Sequence, residues 1–264
     1  MGIRLASPEC VEGEPVLFFL DFENRSDHSA RIVLGERGVE NLRIVLECDG
    51  SIRALPVPEG FGGMNAWVQL FLIAGERKSW AVFLDEFSGP LPPGKYRMHV
   101  SVGDGVAAHF LENCMYPEAT GEFQVLSQDM DSCDMREARF KTWMKEAQTG
   151  EDEQRQNTAR KAVLLARHPV AVQAQMTLVR NKEWRNLDEA GKLAEALLDA
   201  ETEEALQTLV DAMLLDNSAL SPERQIVLHA LRKRDAGNWQ VSKRRIIEPF
   251  LEEIEKATPF HFSD

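Results

Sequence analysis

The sequence predicts two domains of different class: an antiparallel β-sandwich over residues 1–127 and an all-α domain over residues 135–264, joined by a polar linker over residues 128–134. Hydrophobic residues alternate with period two in the first half and recur every three to four residues in the second. Glycine and proline interrupt the first half at short intervals, which is typical of antiparallel strands. A length of 264 residues suits two domains of ordinary size.

The strands of the first domain follow from alternation and turn chemistry. Val16, Phe18, Leu20 and Phe22 would point to one face of a strand. Asp49-Gly50 is a strong hairpin signal that closes a strand over residues 42–48. The other predicted strands cover residues 30–34, 66–73, 80–84, 96–102 and 121–126.

Three segments of the first half carry a family resemblance. They are Val16-Leu17-Phe18-Phe19-Leu20-Asp21-Phe22-Glu23-Asn24, Ile73-Ala74-Gly75-Glu76 and Leu91-Pro92-Pro93-Gly94-Lys95-Tyr96-Arg97-Met98. They resemble strands and turns of bacterial immunoglobulin-like domains of the proteinase-inhibitor and macroglobulin-like types. The resemblance implies an immunoglobulin-like sandwich for residues 1–127 but says little of function, because such sandwiches serve unrelated roles.

Two irregular segments, residues 56–65 and 112–120, depart from the strand pattern. Loops carry function more often than strands do. Large side chains in or beside these segments are therefore predicted to bind a partner, namely Phe61, Met64, Trp67 and Tyr116. In the competing interpretation, side chains of these loops fold back and close the end of the sandwich.

Helix-forming residues dominate the second half. The predicted helices cover residues 136–148, 151–167, 169–180, 187–198, 202–215, 221–234 and 241–256. Ser221-Pro222 is the strongest helix-start signal, and Pro249 predicts a kink in the last helix. The layout resembles HEAT-like repeat arrays, although no clean repeat of about 40 residues is present. An irregular helical bundle is the alternative.

The net charge of the chain restricts the kinds of partner that we expect. The net charge is −13, and residues 1–130 alone carry 10 Lys and Arg against 19 Asp and Glu, a net of −9. We therefore expect no binding to nucleic acid and a basic protein as partner of the first domain. Two basic triplets, Arg232-Lys233-Arg234 and Lys243-Arg244-Arg245, lie in a region that is otherwise acidic. They suit helix ends better than a phosphate backbone.

The expected compartment is the cytoplasm. Residues 1–5 lack the apolar run of a signal peptide, and no segment is apolar for long enough to insert into a membrane. The four cysteines, Cys10, Cys48, Cys114 and Cys133, are predicted to be reduced thiols. A periplasmic location with one or two disulfides is the alternative if a signal peptide has been removed.

No motif for catalysis, metal binding or a cofactor is found in the sequence, so none of these is predicted. The histidines lack zinc-site spacing, and neither a nucleophile elbow nor a phosphate-binding loop is present. His109 and Cys114 form the only candidate Cys/His pair.

These observations favour a non-enzymatic protein-binding protein. The first hypothesis is a bacterial immunity or inhibitor protein that neutralises a cognate toxin by occlusion, because such proteins need only a complementary surface. The second is a scaffold or chaperone-like adaptor whose helical domain holds a peptide. The third is a hydrolase with a non-motif site built on His109 or on paired carboxylates.

Overall fold

A computed structural model describes residues 1–35, 38–57, 68–103, 116–150, 152–215, 218, 221–234 and 239–257. In these ranges the strands precede residue 127, and all helices except one short one follow it. The chain is thus of mixed β and α class, as predicted at that level. It forms two compact units that divide between Arg139 and Phe140. No described helix is both long and apolar enough to cross a membrane.

The first unit contains ten described strands, one short helix and the first half of the helix that begins at Met130. The strands are β1 (Gly2–Leu5), β2 (Glu9–Val11), β3 (Leu17–Glu23), β4 (Ala30–Gly35), β5 (Leu42–Cys48), β6 (Ser51–Ala54), β7 (Val68–Leu72), β8 (Arg77–Phe83), β9 (Gly94–Val102) and β10 (Glu118–Leu126). The short helix is α1 (Asp85–Ser88).

The described strands form three sheets. One has the order β1-β3-β8, the second β2-β10-β9-β5-β6, and the third pairs β4 with β7. All pairs are antiparallel except β2 with β10, which is parallel. The third sheet has a register shift between Val33 and Gly35.

One hydrophobic core receives side chains from all three sheets. Val16, Phe18, Leu20 and Phe22 are each at most 2% exposed, so the predicted alternation is confirmed. Ile32 of β4 and Leu46 of β5 lie in the same cluster. Each sheet therefore has one face turned into this core.

The hairpin signal at Asp49-Gly50 is also confirmed. The two residues have φ values of 49° and 76°, the left-handed conformation that a two-residue hairpin turn of this type requires. They join β5 to β6, with Cys48 opposite Ser51. The sequence did not predict β6.

The helices after residue 127 are α2 (Met130–Thr149), α3 (Glu153–Leu165), α4 (Pro169–Arg180), α5 (Leu187–Asp199), α6 (Glu203–Leu209), α7 (Pro222–Lys233), α8 (Val241–Ile247) and α9 (Leu251–Lys256). A π-helical segment, Val210–Leu215, continues α6. Helix α2 begins six residues before its predicted start. The Ser132 N–H donates to Asp129 Oδ1 at 2.8 Å, and the Asp129 N–H donates to Ser132 Oγ at 3.0 Å. These reciprocal bonds cap the helix.

Two predicted helix features are confirmed. Ser221 accepts the Arg224 N–H through its side chain, with Pro222 at the first helical position. Pro249 lies in a 3₁₀ turn, Glu248–Phe250, that separates α8 from α9. Because proline cannot donate its backbone nitrogen, it interrupts the α-helical hydrogen bonds there. Leucine, alanine and valine side chains of α5, α6 and α7 form the centre of the second unit's core.

Candidate interaction surface

The solvent side of the five-stranded sheet carries a set of side chains that we call the charged face. Strand registers place its members in three rows across the sheet. Their neighbours along each strand, such as Leu46 and Met98, are buried, and alternation turns the face outward. The rows are Ile52, Glu47, Arg97 and Glu122; then Ala54, Val45, His99 and Thr120; then Arg43, Ser101 and Glu118.

Charges on this face are paired along the rows. Arg97 donates from Nε and Nη2 to Glu122 Oε1 at 3.0 and 2.9 Å, whereas its Nη1 lies 3.7 Å from Glu47 Oε2. The hydrogen bond to the Glu122 carboxylate raises the pKa of Arg97. In the next row His99 Nδ1 lies 3.3 Å from Thr120 Oγ1. Arg97 is therefore bonded more closely to Glu122 than to Glu47.

Exposed apolar side chains lie on the charged face and beside it in sequence. Ile52 is 70% exposed on the outermost strand of the sheet, beside the smaller Ala54. Tyr116, 51% exposed, lies two residues before the first residue of β10. Tyrosine and arginine are enriched in the centres of protein interfaces. A sheet surface of this composition can bind another protein.

The predicted partner-binding residues are only partly described. Tyr116 is exposed and lies two residues before β10, whereas Phe61, Met64 and Trp67 fall outside the described residues. Sequence reasoning missed Ile52, because the predicted strand ended at Cys48 and no returning strand was expected. The hairpin signal at Asp49-Gly50 could have revealed it, since a two-residue turn must return into a paired strand.

A cluster of titratable groups is buried elsewhere in the first unit. The Glu14 carboxylate, with 2% of its side chain exposed, accepts Arg139 Nη1 at 2.9 and 3.0 Å and the Val11 N–H at 3.0 Å. Burial raises the pKa of Glu14 above its usual value, although the Val11 and Arg139 contacts oppose the shift. Burial likewise raises the pKa of the Cys10 thiol to about 12. That thiol is therefore protonated at neutral pH and is a poor nucleophile.

The raised pKa of Glu14 predicts a pH-dependent stability difference. The folded state binds the proton of the Glu14 carboxyl more readily than the unfolded state does. The stabilising contribution of protonated Glu14 is therefore complete at a pH below the pKa of Glu14 in the unfolded chain. It is lost as the pH rises through the pKa of Glu14 in the folded chain. Lowering the pH from about 8 to about 5 should therefore stabilise the wild type relative to the Glu14→Gln variant. Urea denaturation of both proteins across this range measures the difference. The prediction would be contradicted if the stability of the wild type relative to the variant stayed constant, or increased, as the pH rises.

The second unit contains an open groove of about 560 Å³. Its lining residues are Arg180, Glu203, Glu204, Gln207, Thr208, Asp211, Ala212 and Ile246. Arg180 Nη2 donates to Glu204 Oε1 at 3.0 Å and to Thr208 Oγ1 at 3.1 Å. Three carboxylates against one guanidinium make the groove acidic.

Two residues of the first basic triplet are engaged within the second unit. Arg232 donates to the Ala257 carbonyl, and Arg234 donates to Asp199 Oδ1 at 2.6 Å. Trp239 packs against the helical core. These contacts favour the interpretation of the first triplet as a helix end.

The candidate catalytic pair cannot be placed, because His109 and Cys114 fall outside the described residues. Among the residues that are described, no three His, Cys, Asp or Glu side chains are grouped so as to hold a metal ion.

Comparisons with known proteins identify no family for this chain. No family model matches the sequence, and no curated protein matches it. Among solved structures, a β-glucosidase from Listeria innocua in complex with glucose has a TM-score of 0.28 and 16% identity, covering 47% of this chain and 15% of that one. Its complex with isofagomine also has a TM-score of 0.28, with 17% identity, covering 48% and 16%. This likeness is too low to indicate a shared fold or activity.

Proposed function

We propose that the chain is a non-enzymatic protein-binding protein, and that it acts as a bacterial immunity or inhibitor protein that covers the surface of a cognate toxin. The charged face carries this proposal, because it presents the exposed Ile52 on one paired sheet surface, and the exposed Tyr116 lies two residues before β10 of that sheet. Strands hold the side chains of the charged face in fixed positions, so little ordering is required on binding. The net charge of −13 would attract a basic partner.

We further propose that the strand-rich unit is an immunoglobulin-like antiparallel sandwich. The Tyr96 hydroxyl donates to the carbonyl of Pro92, four residues upstream, at 2.8 Å. This bond is the arrangement of the tyrosine corner of such sandwiches. The Tyr96 ring stacks on Phe123 with ring centroids 5.2 Å apart. The separate pairing of β1 with β3 and of β2 with β10 also supports the proposal, because two sheets then share the start of the chain.

A scaffold or adaptor is the second candidate function, and the acidic groove favours it. Glu203 and Asp211 line the groove beside Ala212 and Ile246, so a basic peptide with an apolar side chain would fit there. The two candidates therefore place the partner on different units. The HEAT-like layout of the helical half is part of this second proposal, and its support is the run of capped helices α3, α4 and α5.

Matched charge reversals distinguish the two candidates. Glu122 on the charged face and Glu203 in the groove are both exposed glutamates. The tagged full chain should recover one stoichiometric partner from a lysate of its native host, and less of it at high salt. Glu122→Lys should lower the affinity for that partner about tenfold, which corresponds to about 1.4 kcal/mol. Glu203→Lys should leave it unchanged.

The reverse pattern would favour the adaptor. Recovery of no stoichiometric partner would remove the immunity proposal, whereas recovery of several weakly bound partners would favour the adaptor. For the immunity function, co-expression of the chain should restore the growth of cells that express the recovered partner. Cells that stay inhibited while the two proteins bind would contradict it.

A further inference from the structure

The backbone of β6 presents hydrogen-bonding groups to the edge of the five-stranded sheet. The Leu55 N–H donates to the Ile44 carbonyl at 2.8 Å, and the antiparallel register pairs Arg53 with Leu46 and Ser51 with Cys48. Bonded and non-bonded pairs alternate along such a ladder. Ile52 and Ala54 are therefore the non-bonded positions, and their N–H and C=O groups point away from β5.

This edge is exposed on both of its faces. All four residues of β6 are exposed, and among the described strands β6 pairs with β5 alone. Pro56 follows two positions after Ala54 and has no N–H to offer. The edge can therefore accept only a short extended segment, bonded at Ile52 and Ala54.

The carboxylate next to Ile52 favours an extended segment with a cationic side chain. The side chain of Ile52 lies opposite Glu47 on the charged face, and Glu47 is 3.7 Å from Arg97, which is bonded more closely to Glu122. Asp49 lies at the tip of the same hairpin. A lysine or arginine placed beside Ile52 could lay its methylene stem on that side chain and reach Glu47 with its charged end.

We propose that β6 is a docking strand for an extended segment of the partner protein whose residue beside Ile52 is lysine or arginine. The inference rests on the proposed protein-binding function and names the binding mode. Backbone bonds would supply affinity, and the Ile52–Glu47 pair would select the cationic side chain.

Short peptides test the docking strand without knowledge of the partner. We would titrate the full-length, ¹⁵N-labelled chain with acetylated peptides of about seven residues in which threonine alternates with lysine or with glutamate. The lysine peptide should shift the amide resonances of Ile52 and Ala54, and bind more tightly than the glutamate peptide. Methylating the peptide amides of one alternating set should weaken binding about tenfold, and methylating the other set should change it less than about twofold, since only one set faces β6.

Variants of the chain provide a second test of the docking strand. Ala54→Pro removes an outward N–H that does not bond β5, and should weaken the lysine peptide about tenfold, whereas the Ala54→Thr control keeps that group. Glu47→Gln should remove the preference for lysine. If Ala54→Pro does not fold, the methylated peptides on the wild type decide the matter.

Three results would overturn the proposal. They are equal weakening by both methylated sets, no preference for the lysine peptide, and a dimer of the wild-type chain in sedimentation that Ala54→Pro abolishes, since a second copy would then occupy the edge. Loss of the lysate partner with intact peptide binding would count against the proposed function and not against the edge. A recovered partner with no peptide binding would count against the edge alone.

Discussion

The Arg139→Met variant should lose about 3–5 kcal/mol of stability in the strand-rich unit. Arg139 is the cation bonded to the Glu14 carboxylate, whose side chain is 2% exposed. Without it, the buried Glu14 carboxylate must carry an uncompensated charge or take up a proton, and either costs stability at neutral pH. Amide hydrogen exchange of Phe18 and Leu20, both in the core of this unit, measures the loss.

An exposed ion pair provides the matched control. Arg4 lies 3.1 Å from Asp21, but 55% of its side chain is exposed, so Arg4→Met should cost only about 0–1 kcal/mol. Adding Glu14→Gln to Arg139→Met should restore much of the loss, because the buried charge is then absent. Equal losses for Arg4→Met and Arg139→Met would show that the buried pair is not special.

The Gln175→Leu variant should destabilise the helical unit by about 2–4 kcal/mol. Gln175 is fully buried, and its Nε2 donates to the carbonyls of Val163 and Ala166 at 2.7 and 2.9 Å. Leucine of similar size cannot donate, so these carbonyls at the end of α3 lose a partner. Urea denaturation followed by circular dichroism measures the change.

Gln173 provides the comparison for this variant. It lies on the same helix but is exposed, so Gln173→Leu should change stability by no more than about 0.5 kcal/mol. A loss below about 1 kcal/mol for Gln175→Leu would mean that the carbonyls find other donors. Arg167 Nη1 already donates to Ala166 O at 3.2 Å and to Leu164 O at 2.9 Å, which leaves Val163 as the most affected group.

Local patterns predicted the elements that depend on local chemistry. The alternation in β3 and the Ser221 cap each depend on residues close in sequence, and both are confirmed. The start of α2 was missed, because Asp129 and Ser132 were interpreted as linker residues although they cap the helix.

Elements fixed by distant partners were not predictable in the same way. The strands β1 and β2 have only four and three residues, and pairing with longer strands holds each in place. The Glu14–Arg139 pair joins positions 125 residues apart, a separation at which no periodicity exists. The rows of the charged face likewise follow from the register between strands.

The π-helical segment Val210–Leu215 has a consequence for the search for relatives. Such a segment holds about one residue more than an α-helix of equal rise. One residue added to an unbroken α-helix would rotate the side chains that follow by about 100°. Its Met213 and Leu214 are nevertheless buried, so the wider turn keeps both in the core. A relative with an unbroken α-helix here would lack one residue. Alignments should therefore allow a single-residue gap within this segment, with Leu206 and Ile226 as fixed points on either side.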